Sequence, residues 1–252
     1  MARVKYLDTI TGSTSKSSFI SKEVRRHGLN IAETKEFGKS TIVVLNGERD
    51  LKVILALIAV LCKKCEKVIN IVKSNIKGIN NWHEVLKGEL SQFVNVRELK
   101  SIMLIGDIDD EEKYKMLKDS LKNYVDERSQ GNVFTFYYNS NIRVIITFNG
   151  DLGDNKFSRH EIEEDILNFL NRIADSLEKV GLKLPPLSGD PKDIYKSLID
   201  KYRQSSKKQI CDDKEISDLD MAVIHHMLLN RDIVEEVFRK QVTAIRELLK
   251  DP

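Results

Sequence analysis

Between Lys100 and Lys113 the chain reads Ser-Ile-Met-Leu-Ile-Gly-Asp-Ile-Asp-Asp-Glu-Glu, and this stretch narrows the fold more than any other. An apolar run, Ile102 to Ile105, is stopped by Gly106 and gives way to five acids within six residues. So short an apolar run beside a glycine and an acidic turn predicts a buried strand of an α/β sheet. In open parallel sheets the ligand crevice lies outside the carboxyl ends of the strands, where Asp107 and Asp109 fall. Residues i and i+2 of an extended chain point to one side. Both carboxylates are therefore expected to face one divalent cation of the hard, oxygen-preferring kind, Mg2+ or Mn2+. A second explanation uses the same residues. Asp109 or Asp110 caps a helix, Glu111 and Glu112 favour the positive end of its dipole, and Tyr114, Leu117, Leu121 and Val125 follow at helical spacing.

Composition sets the outer limits. With 252 residues, 41% hydrophobic and 32% charged, and only four prolines, the chain has the material for a core and is globular rather than disordered. A net charge of +2 provides no global field for nucleic acid, so any phosphate binding must be local. The N-terminus MARVKYLDTI lacks the apolar core of a secretory signal. The most apolar segment, Val53 to Cys62, is about half the length that crosses a bilayer. A soluble cytoplasmic protein with no membrane partner is expected. Cys62 and Cys65 form a CxxC with no second pair and Cys211 stands alone, which favours structural thiols over zinc.

Along the chain, Val4 to Ile10 predicts a strand and Ser17 or Ser18 to His27 a helix closed by Gly28. Thr41 to Leu45 is a β-branched strand. It turns through Asn46-Gly-Glu-Arg-Asp50 into a helix from about Leu51 to Lys64, apolar nearly all round and hence buried. A strand at Val68 to Val72, a loop at Gly78 and Asn80-Asn81, and a helix from Trp82 to Phe93 come next. The strand ending at Asp107 leads into a helix from Asp110 to Asp126. Strands at Val133 to Tyr138 and Arg143 to Phe148 follow, and a glycine-bearing loop from Asp151 to Ser158 opens a helix at Arg159. This alternation predicts βαβ units and a mainly parallel, Rossmann-like sheet flanked by helices. Pro185-Pro186 marks a boundary. Beyond it the pattern is helical only, at about Asp193 to Arg203, Asp218 to Leu229 and Asp232 to Lys250. Three segments result: an N-terminal extension with an edge strand and a helix (1–37), an α/β domain (38–184) and a helical C-terminal element packed on it (185–252). His225-His226 lies on a helix without a carboxylate at metal spacing, which argues against a ligand role.

Three polar turns follow strands in order: Asn46-Gly-Glu-Arg-Asp50, Gly106-Asp-Ile-Asp-Asp110 and Asn149-Gly-Asp-Leu-Gly-Asp154, the last running into Glu161 to Asp165. In a parallel sheet they converge at one edge, as metal-assisted phosphoryl transfer requires. Over residues 38–170 this order resembles the Toprim superfamily of topoisomerases, bacterial-type primases and OLD-like or stand-alone nuclease-like proteins. There a first strand ends in Glu-Gly with an Asp three residues after the Gly, and a later strand ends in Asp-x-Asp. In the stand-alone branch a further helix starts with a Glu-Asp-leucine-type motif. Here Gly47 and Asp50 are in register, Asp107-Ile-Asp109 matches the second motif, and Glu164-Asp-Ile-Leu167 resembles the third. The family's first-motif Glu, its general acid/base, falls on Asn46, whose amide exchanges no proton near neutral pH.

The resemblance implies an Mg2+- or Mn2+-dependent nuclease or related phosphotransferase acting on DNA or RNA. Asp107, Asp109 and Glu164 would be its metal-site acids, Glu48 would supply a carboxylate near the vacated position, and Asn46 would contact phosphate. Arg49, Lys77, Lys113 and Arg159 are the leading phosphate contacts, though each serves equally as ordinary surface charge. Two alternatives use the same residues. One is a catalytically impaired Toprim-like module that binds metal or nucleic acid within a defence, repair or replication assembly, as an oligomer or with a partner protein. The other is a structural α/β protein whose acids only cap helices and turns.

Overall fold

A computed structural model of the chain describes residues 2–7, 26, 29–33, 39–62, 68–89, 99–124, 132–139, 141–179, 181–205, 210–211, 214–216 and 218–250. Its centre is a seven-stranded sheet built from β1 (Ala2–Leu7), β2 (Leu29–Glu33), β3 (Ser40–Val44), β4 (Val68–Lys73), β5 (Ser101–Asp107), β6 (Phe134–Tyr138) and β7 (Ile142–Asn149). The spatial order is β2-β1-β4-β3-β5-β7-β6. Every neighbouring pair is parallel except the hairpin β6–β7. The α/β class and mainly parallel sheet expected from the strand–helix alternation are thus the observed architecture.

β5 lies between β3 and β7, and all seven of its residues are buried. That is why Ile102 to Ile105 carries no polar alternation: a parallel strand covered on both faces needs apolar side chains on both. One face is covered by helical turns at 79–89 and by α2 (Glu111–Leu121), through Ile79, Trp82, Val85, Leu117 and Leu121. Trp82 donates its indole N–H to Ser120 Oγ at 2.9 Å and meets Phe136 edge-on, a packing role. The other face is covered by α1 (Glu48–Leu61) and α3 (Ile162–Arg172).

After the short α4 (Ala174–Lys179) the C-terminal helices are α5 (Pro191–Gln204), α6 (Leu219–Leu229), α7 (Arg231–Val237) and α8 (Arg239–Leu249), with a two-residue hairpin, β8 (Ile210–Cys211) and β9 (Lys214–Glu215), between α5 and α6. α5 starts as its sequence dictates: Asp190 caps it by accepting from Lys192 N at 2.9 Å, and Pro191 occupies the first turn. These helices share one continuous core with α1 and the sheet, through Tyr195, Leu198, Met227, Val242 and Ile245.

Several boundaries differ from the sequence expectation. β2 takes the sheet edge and β1 lies one place inside it, so residues before 38 extend the main sheet. The helix expected from Trp82 to Phe93 is a continuous helical stretch of mixed type from Ile79 to Glu89, and its expected last residues lie outside the described ones. The single helix expected from Asp232 to Lys250 is broken at Phe238, whose buried ring packs 6.2 Å from Phe169. The helix expected from Ser17 or Ser18 to His27 and the Cys65 half of the CxxC lie outside the described residues, Arg26 apart. Cys62 is buried in the core. Among the described residues no helix is long and apolar enough to cross a membrane.

Candidate functional site

The strand ends converge as the three polar turns predict. β3 delivers Asn46, α1 delivers Asp50 from its first turn, β5 ends at Asp107, and β7 ends at Asn149 directly opposite Asp107 in register. Asn149 Nδ2 donates to Asp50 Oδ1 at 2.7 Å and to Asp107 Oδ1 at 2.9 Å, so one amide holds two carboxylates. Asn46 Nδ2 donates to Asp107 Oδ2, and the backbone N–H of Ile162 reaches Asp107 Oδ1 at 3.2 Å. Asp50 Oδ2 also accepts from Gly47 N at 3.1 Å, closing the first turn of α1.

A cleft of about 690 Å³ opens over this edge. Asp50, Asp107, Asp109, Glu163 and Glu48 line it together with Lys52, Lys77, Lys192 and Arg203, so acids and bases face one space. Glu163 is buried. Its Oε1 accepts from Arg49 Nη1 at 2.5 Å, while its Oε2 has no hydrogen-bond partner among the described residues. Burial, then repulsion from Asp50, pushes the Asp107 carboxyl well above its ordinary value, and Glu163 and Glu161 add to the repulsion. Burial likewise raises Asp50 to about 6. Their amide donors oppose this only in part.

A cationic wall stands beside the acids. Arg49 lies 4.5 Å above the Tyr195 ring and pairs with Glu163 and, at 3.1 Å, with Asp220. Lys52 and the Tyr195 hydroxyl also bond Asp220, at 2.8 and 2.9 Å. Burial opposes ionisation of Asp220, but Arg49 and Lys52 outweigh it and hold the carboxyl below its ordinary value. Lys192 Nζ meets Glu161 Oε1 at 2.6 Å.

Among the residues singled out from sequence, Asn46, Glu48, Arg49, Lys77, Asp107 and Asp109 all line the cleft. Asp109 arrives by a different route from the one expected. The strand stops at Asp107, and Asp109 has a left-handed backbone (φ +59°), exchanges backbone hydrogen bonds with His160 and pairs with Lys113. The capping explanation holds for Asp110, which accepts from Lys113 N at 2.8 Å. Arg159 is not among the lining residues and sits 3.8 Å from Asp190 and 3.9 Å from Glu161.

Glu164 is also elsewhere. It is fully buried under the Asn149-Gly150 turn, accepting from Asp151 N at 2.8 Å with its other oxygen 2.8 Å from His160 Nδ1. Burial and the neighbouring Asp165 raise it to about 9, so it is protonated at neutral pH. Glu163 takes the place at the cleft that the motif assigned to Glu164. α3 begins at Ile162, after Glu161 at the N-cap position, and one residue of helical phase turns a side chain by about 100°. Lys192, Asp220 and Gln241 have no local sequence signal, whereas Asn149 opens the third polar turn. Asp50 had one, its register with Gly47.

Among the described residues no three His, Cys, Asp or Glu side chains form a ready-made metal cage. Magnesium does not require one: it keeps several waters and takes one or two carboxylates. The donor set fits that demand, since Asp107 Oδ2 has a single described donor and retains a lone pair, and Glu163 Oε2 retains both.

Neither a protein-family model nor a curated protein matches the chain. Among solved structures it is similar to the crystal structure of a hypothetical protein from Pyrococcus horikoshii, at 13% identity and a TM-score of 0.49, over 84% of this chain and 98% of that one.

Proposed function

We propose that this chain is a Toprim-like, Mg2+- or Mn2+-dependent nuclease or related phosphotransferase acting on DNA or RNA at the cleft over β3, β5 and β7. The observation that carries the reading is Glu163 Oε2, a buried carboxylate oxygen without a hydrogen-bond partner among the described residues, beside two carboxyls whose charges already oppose each other. Arg49 meets only the other oxygen, and a bare buried carboxylate oxygen is unfavourable unless a donor or cation meets it too. Asp107, Asp50 and Glu163, with Asp109 at the rim, would hold the ion. When bound it would stabilise charge developing on a phosphate. Lys77 and Arg203 line the same space and would neutralise phosphate charge, with Lys192 beside them already paired to Glu161. Arg49 and Lys52 are committed to Asp220 and hold α6 against α1. Glu48, exposed and lining the cleft, is the carboxylate left to exchange a proton.

One observation favours a second reading, a binding module of the same ancestry. The Asn46 amide, where the Toprim pattern has its general acid/base, is spent on Asp107 and can only hold it. Cleavage of labelled single- and double-stranded DNA and RNA with Mn2+, beside Asp107→Ala and Glu163→Gln variants shown to be folded, separates the two. Cutting that both variants lose supports the enzyme. Mn2+ or nucleic-acid binding without cutting, lost in both variants, supports the module. Binding and cutting that are absent, or indifferent to both residues, sink both readings.

A further inference from the structure

We infer that Gln241, on α8 and 92 residues after Asn149, is a positioning residue for the cleft: acting through Asn149, it sets the carboxylates of Asp50 and Asp107. This rests on the proposed cation site and extends it to the last helix. Asn149 and Gln241 are both fully buried, and neither touches the cleft directly.

The argument is one of donor and acceptor sense. An Asn side chain has one end that donates and one that accepts. Asn149 spends its nitrogen on Asp50 and Asp107. Turned over, it would present a carbonyl oxygen to both carboxylates, and each would lose a donor. The orientation is selected from behind, where Gln241 Nε2 lies 3.3 Å from Asn149 Oδ1 and requires an acceptor there. Gln241 is oriented in turn by Asp165 Oδ2, which accepts from it at 2.7 Å and from Gly150 N at 2.9 Å. Each member of the chain thus fixes the sense of the next, from the Gly150 backbone to the two cleft acids.

Gln241 does not hold this place for its own satisfaction. Its Oε1 is buried without a hydrogen-bond partner among the described residues, whereas an apolar side chain would leave no such atom. The glutamine is there for its N–H groups. Partners behind the ligands of a metal ion typically change its affinity by about 10–100-fold when removed.

The test uses the full chain and Mn2+ as the probe, titrated by electron paramagnetic resonance. Gln241→Met keeps the length of the side chain and deletes the donor; Gln241→Asn keeps the amide but withdraws it by one methylene, and replaces the first variant should it fail to fold. Val242→Ala, on the same helix and buried in the core, weakens α8 without touching Asn149 and is the structural control. We expect Mn2+ affinity to fall at least about tenfold in Gln241→Met or Gln241→Asn, and to stay at the wild-type value in Val242→Ala despite its lower melting temperature. Wild-type affinity in the folded Gln241 variants, or an equal loss in Val242→Ala, overturns the positioning role and leaves the cation site standing. A wild-type protein that binds no Mn2+, or binds it equally after Asp107→Ala, overturns the cation site and this inference with it.

Discussion

Glu164→Gln should stabilise the protein, and by an amount that depends on pH in a defined way. Glu164 is fully buried, and burial with the neighbouring Asp165 raises its carboxyl from 4.5 to about 9. A folded-state value above the unfolded one means that the unfolded chain releases its proton first. The stability Glu164 contributes is complete below pH 4.5 and is lost as pH rises toward 9. Each pH unit in that window costs about 1.4 kcal/mol, so by pH 7 the loss reaches about 3 kcal/mol. Glutamine carries no proton to lose, yet reproduces the protonated acid: its oxygen can accept from Asp151 N and its nitrogen can donate to His160 Nδ1. Burial holds His160 below its ordinary value, which leaves that ring nitrogen able to accept. The variant should therefore match the wild type at pH 4 and exceed it by about 2–3 kcal/mol at pH 7, or roughly 5–10 °C in melting temperature. Urea unfolding followed by circular dichroism at both pH values, with a chelator present, measures this. A variant less stable than the wild type at pH 7, or with the same gain at pH 4 and pH 7, would show that Glu164 is ionised in the folded state and refute the reasoning.

Three further outcomes follow from the geometry. Gly150→Ala should cost about 3 kcal/mol or more in urea unfolding, because φ there is +76° and an added Cβ would lie 2.5 Å from the His160 carbonyl carbon. Mn2+ at 100 times its Kd should raise stability by about 2.7 kcal/mol, read as a melting shift that disappears in Glu163→Gln. Arg49→Ala should lower stability by about 2 kcal/mol, since it leaves Glu163 without its one described donor; Arg49→Lys should recover only part of this, and full recovery would mean that charge alone matters and the two-acid fork does not.

How far the molecule can be read from its sequence depends on the range over which each signal acts. Ile102 to Ile105 and Thr41 to Leu45 announce buried parallel strands, and the polar turns behind them announce the edge where the site forms, because strand burial and turn chemistry are local. The meeting of Asn149 with Gln241 depends on how α8 settles against β7, and although Asn149 opens a polar turn, Gln241 does not differ in sequence from an ordinary polar residue. Asp109 shows a failure of a different kind. Alternation along a strand was the right rule, but the strand ends two residues earlier, and the left-handed turn brings the side chain to the cleft instead. The motif Glu164-Asp-Ile-Leu167 singles out Glu164, but which of two adjacent acids faces the cleft follows from the phase of α3, which a motif does not fix. Phe238 divides what periodicity presents as one helix, because both halves keep an apolar face toward the same core.

The double burial of α1 also bears on how the chain is made. Its residues 53–60 are buried without a break, one side against Ile42, Ile69 and Met103 of the sheet and the other against α6 and α8. α6 and α8 leave the ribosome after α1 and the whole sheet. Until they arrive, the nascent chain carries an oily helix with one flank open, which invites association with other chains. A stop codon or proteolytic cut after Pro186 would freeze that state. Fragments ending there should partition into the insoluble fraction even though the sheet and its strand-end acids are all encoded, and supplying residues 187–252 as a separate chain during synthesis should bring them back into solution.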